Sequence, residues 1–271
     1  MTAAFSSPAL SPNILSLAGR TVLITGASSG LGARFARLCA GAGANVMFGA
    51  RRLDRVQGLA DELNAAGHQA LAVALDVTDE ASIIAAYDAA EARFGTVDTI
   101  IANAGTSAAG RSTEVSAADI RMVTDTNFTG VYLTAREGAR RLIARNAADA
   151  AFRAGERGRI ILIGSITAHL TAQGDVAYAA GKAAVAHLGR SLAREWVRQG
   201  INVNVIQPGY IDTEIAGDWF ETDGGKAQIA GFHRRRMQDA ASLDPMILYL
   251  ASDASAAMTG AVIDLDDGQS L

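Results

Sequence analysis

Seven short runs of aliphatic and β-branched residues recur along the chain, at positions 21–25, 45–48, 70–75, 99–102, 159–163, 201–206 and 261–265. Longer stretches with helical periodicity separate them, near 31–42, 53–66, 79–94, 117–146, 176–199 and 242–251. Runs that are apolar without alternation belong to strands buried on both faces, and strands alternating with helices build a parallel sheet covered on two sides. The pattern therefore predicts an α/β fold: one doubly wound, seven-stranded parallel sheet with helices on both faces. A chain of 271 residues accommodates this as a single domain, expected over 19–271.

Three segments stand outside the rhythm. Residues 1–18 lack the basic start and long apolar centre of a secretory signal and read as a flexible arm. Residues 146–158, rich in alanine, arginine and glycine, read as a surface loop. Residues 210–241 carry Trp219, Phe220, Gly224, Gly225 and Phe232, and a connection of that length after the sixth strand is expected to be a substrate lid. Charges are dispersed and the formal net charge is −4, which points neither to a nucleic-acid surface nor to a membrane span. Cys39 is the sole cysteine, so an internal disulfide and a cysteine metal cluster are excluded, and a reducing cytoplasm is the expected setting. His68, His169, His187 and His233 show no ligand spacing, and no metal is expected.

Chemistry concentrates between Ser165 and Lys182. If the run before Ser165 is a strand and the alanine-rich stretch after residue 175 a helix, Tyr178 and Lys182 share a helical face one turn apart. Ser165, at the strand's carboxyl end, can face both. A positive charge favours the phenolate, so the tyrosine is expected below its ordinary pKa of ~10 and able to exchange a proton near neutrality. Taken singly, each of these residues has an ordinary reading: a packed tyrosine, a solvated lysine, a serine capping a turn.

The first strand ends in Thr25-Gly-Ala-Ser-Ser-Gly-Leu-Gly32 and leads into a helix. Glycines at such a turn let backbone approach a pyrophosphate, and the helix start presents free N–H groups and a positive dipole end. With this turn and Tyr178-Ala-Ala-Gly-Lys182 in place, the chain resembles the short-chain dehydrogenase/reductase family, whose motifs are T-G-x-x-x-G-x-G and Y-x-x-x-K. The resemblance covers about residue 20 to the C-terminus. Ser165 stands at the family's common spacing, 13 residues before Tyr178, and Asn127 matches its active-site asparagine.

The resemblance implies a Rossmann-type fold and a hydride transfer between a nicotinamide and a ketone or secondary alcohol. Tyr178 would exchange the proton, Ser165 would bond the same oxygen, Lys182 would hold the nicotinamide ribose and lower the tyrosine's pKa, and Asn127 would hold a water behind Lys182. It further implies cofactor contacts from Gly26, Ser28, Ser29, Gly30, Leu31 and Gly32, from Asp76 and Val77, from Asn103, Ala104 and Gly105, from Tyr178 and Lys182, and from Pro208, Gly209, Ile211 and Thr213. Ala102 departs from the family's asparagine, which ties neighbouring strands, and Asp266-Asp267-Gly268-Gln269 departs from its D-G-G ending.

NADP is expected over NAD. The end of the second strand, where an acid would bond the ribose 2′-OH of NAD, is Ala50, followed by Arg51 and Arg52, whose guanidinium groups suit a 2′-phosphate. Ser29 tempers this, because many NADP-preferring relatives carry a base there. Substrate contacts are expected from the lid and from 106–112 and 167–173, with Trp219, Phe220, Ile229 and Phe232 either covering the substrate or packing the lid onto its domain. The turn His233–Arg236 reads as a solvated basic segment. A 3-oxoacyl-carrier-protein reductase is the alternative if Arg136, Arg140, Arg141 and Arg145 form one free basic patch, and a catalytically silent dinucleotide sensor is a third reading. A homotetramer is expected by analogy with relatives.

Overall fold

Strand order decides where a ligand can bind, and here it reverses at the first strand. The computed structural model describes residues 13–171 and 174–271. Within them β1 (Thr21–Thr25), β2 (Asn45–Ala50), β3 (Gln69–Ala74), β4 (Thr99–Ala102), β5 (Gly158–Ile163), β6 (Ile201–Pro208) and β7 (Val262–Leu265) form one parallel sheet, ordered β3-β2-β1-β4-β5-β6-β7. The chain winds outward from β1 in one direction and from β4 in the other, which opens a crevice beyond the carboxyl ends of these strands.

Both faces of the sheet are covered. In β1, Val22 and Ile24 enter the core beneath α1 (Gly30–Gly41), α2 (Leu53–Ala65) and α9 (Asp244–Ala251), while Leu23 enters the opposite one. That second core lies beneath α3 (Glu80–Phe94), α5 (Gly130–Ala148) and α7 (Val176–Trp196). In β5, Ile161 and Ile163 face the first core, Ile160 and Leu162 the second. Two buried faces are why these runs are apolar throughout.

The structure corrects three boundaries. The expected helix at 117–146 is two helices, α4 (Ala117–Thr124) and α5, joined by a π turn at Asp125–Thr129. The expected loop at 146–158 is the end of α5 followed by α6 (Ala150–Ala154), started by Asp149, whose carboxylate accepts from the Ala151 and Phe152 N–H groups. The expected arm lies partly outside the described residues, and its last part is docked: Leu17 is fully buried and its N–H donates to the Ala42 carbonyl at 2.9 Å. At this same end of the sheet a buried polar cluster closes the strands' amino termini. There Arg20 donates to Asp98 (3.2 Å) and to the Arg157 carbonyl (2.9 Å), and Arg159 donates to the Glu156 and Gly158 carbonyls at 2.7 and 3.0 Å.

α7 must lie close on the sheet to aim its first turns at the crevice. Gly189 allows this: a Cβ there would come within 2.3 Å of Val205 Cγ2, a fully buried side chain of β6. Gly189→Ala gains up to about 1 kcal/mol of helix propensity but overpacks a closed core at a cost of about 1–3 kcal/mol. The overlap outweighs the propensity. Thermal unfolding should therefore show a lower Tm for Gly189→Ala, with less combined loss in Gly189→Ala/Val205→Ala than the two single variants sum to.

Candidate active site

The crevice is a cleft of about 1450 Å³ running from the start of α1 to the start of α7. One end is made for phosphate. Gly26 and Gly30 adopt positive φ (71° and 52°), and Gly32 packs so tightly that a Cβ would sit 2.3 Å from the Gly26 carbonyl oxygen. Ser29 precedes α1 without capping it, so the first-turn N–H groups of Gly30, Leu31 and Gly32 remain as donors, and all three residues line the cleft. This donor set fits a dinucleotide pyrophosphate.

The expected cofactor residues gather around it. Gly26, Ser28, Ser29, Gly30, Leu31, Gly32, Arg51, Arg52, Asp76, Val77, Asn103, Ala104, Gly105, Pro208, Gly209, Ile211 and Thr213 all line the same cleft, together with Ser165, Tyr178 and Lys182. Asp76 is partly buried, which raises its carboxyl. Donation from the Thr78 N–H and hydroxyl and the charge of Arg51 outweigh that, and the net shift is downward. Arg52 is more heavily engaged than sequence alone implied: it donates to Ser28 (2.8 Å), Ser29 (3.2 Å) and Glu214 (2.9 Å). Its partner is thus Glu214, not Asp54 or Asp61, the carboxylates nearest in sequence.

Ser165, Tyr178 and Lys182 converge at the other end. Ser165 follows β5 and starts a 3-10 turn at Ile166–Ala168, its hydroxyl accepting from Thr167 Oγ1 at 2.9 Å. Lys182 is buried, donates from Nζ to the Ile163 carbonyl at 2.8 Å, and sits 5.4 Å from the Tyr178 ring centre. Burial brings its pKa down to about 8. The expected fall of the tyrosine does not occur in this arrangement. Burial pushes the Tyr178 phenol up to about 12, Ser165 opposes the rise, and Asp175 and Tyr210 add to it. Desolvation disfavours the phenolate, so in this arrangement the Tyr178 phenol keeps its proton at neutral pH.

Asn127 is fully buried in the π turn, and its side chain pairs twice with Thr106, accepting from its N–H and donating to its carbonyl, both at 2.8 Å. It therefore fixes the loop after β4 beside Lys182. The strand-tying duty expected to be lost at Ala102 falls to Asn103, whose amide donates to the Thr25 and Gly26 carbonyls at 2.9 and 3.2 Å.

The loop after β6 is held by residues that carried no signal in the sequence. Gln238 accepts from the Gly209 N–H at 2.8 Å, and Gln269 accepts from the Tyr210 N–H at 2.6 Å. The departure at Asp267 has a structural role too. It adopts φ 56° and binds Arg234 and Arg236, both at 2.8 Å, so the basic turn is an anchored one. Of the lid aromatics, Trp219 and Phe220 line the cleft, whereas Phe232 stacks behind Tyr210 at 5.5 Å and Ile229 lies outside the lining. Thr106, Ser107, Arg111, Thr167 and Leu170 also line it; Ala172 and Gln173 lie outside the described residues. His169 turns to Asp264 at 3.7 Å. Among the described residues no cluster of His, Cys, Asp or Glu could hold a metal, and no helix is long and apolar enough to cross a membrane.

The composition singles out Lys182 as well. The chain holds 22 arginines and only two lysines, Lys182 and Lys226. An arginine cannot lose its proton, whereas a buried lysine can, so a lysine kept in so arginine-rich a chain marks a special site. The scarcity also makes a clean measurement possible: ¹⁵N-lysine NMR should show a side chain titrating near 8 that is absent in Lys182→Met. A Lys182 signal titrating near the ordinary lysine value of ~10.4 would contradict the burial argument.

The family model for short chain dehydrogenases matches residues 20–224. Oxidoreductase UcpA of Salmonella typhimurium is 35% identical over 263 residues, covering 94% of this chain and 96% of that protein. The cis-4-hydroxycyclohexanecarboxylate dehydrogenase of Sinomonas cyclohexanicum is 35% identical over 255 residues, covering 93% and 96%. Among solved structures, a gluconate 5-dehydrogenase from Burkholderia cenocepacia, in complex with NADP and tartrate, superposes with a TM-score of 0.87 at 30% identity over 95% of this chain and 97% of that one.

Proposed function

Because the chain belongs to the short-chain dehydrogenase family and is an oxidoreductase of that fold, we propose that it interconverts a ketone and a secondary alcohol with NADP(H) as the preferred cofactor. The observation that carries this reading is the cleft itself, which joins a phosphate-binding helix start and two arginines at one end to Ser165, Tyr178 and Lys182 at the other. When bound, the nicotinamide supplies or accepts the hydride. Tyr178 gives its proton to the substrate oxygen as negative charge develops there, and Ser165 donates a hydrogen bond to the same atom. Oriented donors of this kind contribute about 3–4 kcal/mol each to transition-state stabilisation. Lys182 holds ribose hydroxyls while its charge stabilises Tyr178 after proton loss, and Asn127 keeps the loop after β4 in place.

Arg51 at the adenine end, with no ion pair among the described residues, and the absence of an acid at Ala50 support NADP. The NADP complex of the Burkholderia enzyme supports it by likeness. Toward the substrate, Trp219 and Phe220 supply an apolar wall and Arg111 a cation, which suits a secondary alcohol on a carboxylate-bearing skeleton. The relatives named for a hydroxycyclohexanecarboxylate and for gluconate favour that class. The carrier-protein alternative loses its main support: Arg136 pairs with Glu80, Arg140 with Glu137, Arg141 with Asp88, Glu91 and Glu137, and Arg145 with Asp149, so no free basic patch results.

NADPH oxidation should be measured against ketones, ring and open-chain keto acids and β-ketoacyl thioesters, and repeated with NADH. The expected result is turnover of a keto acid with NADPH at least about tenfold better in kcat/KM than with NADH; a tenfold preference for NADH would overturn the cofactor assignment. Tyr178→Phe should lower kcat by roughly 10³ or more while leaving NADPH binding intact. Turnover surviving in that variant would remove Tyr178 from its role. Assembly is proposed as a homotetramer. Exposed Ile120, Met122 and Tyr132 on α4 and α5 supply an apolar face for it, and sedimentation velocity should give four chain masses at micromolar concentration, a monomer refuting the assembly.

A further inference from the structure

Glu214 stands where no sequence motif placed a ligand. It opens a 3-10 turn at Glu214–Ala216, in the loop after β6, yet its carboxylate reaches across the cleft to the second strand's side. Oε2 accepts from Arg52 at 2.9 Å and from the Ser29 hydroxyl at 2.9 Å, and Oε1 accepts from Arg55 at 2.7 Å. The Arg52 guanidinium is braced from behind by Ser28. These donors belong to the two segments that flank the adenosine ribose in the reading above: the glycine turn and the start of α2. Two guanidinium groups and a hydroxyl converging on one anion form the donor set that a phosphate monoester takes.

We propose that Glu214 is an internal anion seated in the 2′-phosphate subsite, so that NADP(H) binds by displacing it from Arg52, Arg55 and Ser29. The inference rests on the NADP reading above and adds to it a residue that sets cofactor discrimination from the far side of the cleft. A carboxylate brings one negative charge and two oxygens to these donors. A 2′-phosphate brings up to two charges and three oxygens, so it competes for them, whereas the ribose hydroxyl of NAD carries no charge and leaves Glu214 in place. Protonation does not release the latch in ordinary buffers, because hydrogen bonds from Arg52, Arg55 and Ser29 hold the carboxyl down at about 2. Only a competing anion or a mutation can. Displacement also has a consequence for the substrate end. Glu214 is followed directly by Ile215 and Ala216 and then by Trp219 and Phe220, all of which line the cleft, so the anion that enters at the adenosine end frees the segment that covers the other.

Calorimetric titration of 2′,5′-ADP and of 5′-ADP into the wild-type protein, Glu214→Gln and Arg52→Ala tests this without any hydride chemistry. Removing the internal competitor should tighten 2′,5′-ADP by about tenfold or more in Glu214→Gln and change 5′-ADP by less than about twofold. Unchanged or weaker 2′,5′-ADP binding in Glu214→Gln overturns the inference. Arg52→Ala separates the two levels. If it weakens 2′,5′-ADP while Glu214→Gln does not tighten it, the latch is wrong and the NADP reading stands. If Arg52→Ala leaves 2′,5′-ADP unchanged and the wild type binds it no better than 5′-ADP, the NADP reading falls and the latch with it. Glu214 is exposed, and matching melting temperatures for Glu214→Gln and wild type confirm that the comparison is between folded proteins.

Discussion

A buried ammonium donating to the carbonyl of Ile163 joins the two elements that bring Ser165 and Tyr178 to the cleft. Lys182 projects from the second turn of α7, and Ile163 is the last residue of β5, so this one hydrogen bond of 2.8 Å fixes the helix carrying Tyr178 against the strand that leads to Ser165. Burying a cation is costly unless it is hydrogen-bonded, and the cost shows as a lysine brought down to about 8. Below that pH the ammonium is present and can hold ribose oxygens; above it the charge is lost. Arginine could supply the charge but could not be softened this way. In a chain that uses arginine 22 times and lysine twice, that difference accounts for a lysine at this position better than charge alone.

How much of this could be read from residues depended on whether the signal was local. The seven strands were legible because each is apolar on both faces, and the glycine turn because φ of 71° at Gly26 and the 2.3 Å approach at Gly32 leave no room for other residues. That Ser165, Tyr178 and Lys182 meet in one cleft was legible through the order and spacing of family motifs. The break between α4 and α5 was not, since 117–146 keeps helical composition through the π turn, and the pairing of Asn127 within it to Thr106 is a contact 21 positions away in sequence. Gln238 and Gln269 likewise act through contacts 29 and 59 positions away. The tyrosine's shift was hidden for a related reason: adjacency of Lys182 is visible in the sequence, while the burial that raises the phenol is a property of the folded cleft.

The segment after β6 is where these non-local contacts accumulate, and its construction differs along its length. Near the sheet it is rigid: Gly209 and Tyr210 are held through Gln238 and Gln269, and the C-terminal turn at Asp267 is clamped by Arg234 and Arg236. Farther out its ties are side-chain contacts at the surface, chiefly Glu214 to the arginines and Trp219 to Gln228 at 2.8 Å. Loops that must move to admit ligands are drawn from such weakly held regions, while the residues that aim at reacting atoms are kept on firm ones.

That division makes the lid's polar anchor more informative than its aromatic cover. Phe232 stacks on Tyr210 at 5.5 Å, and Tyr210 is itself held by Gln269. The ion pairs of Glu214 with Arg52 and Arg55 instead join the loop after β6 to the start of α2 at the surface. Exposed pairs of this kind contribute little to stability, commonly below about 1 kcal/mol. A contact that weak is a poor staple but a suitable latch, since a better anion for the same donors can replace it at small cost. The buried interactions at Lys182 and Asn127 therefore define the geometry of the site, while the exposed charges of Glu214, Arg52 and Arg55 are the contacts an incoming anion could exchange most cheaply.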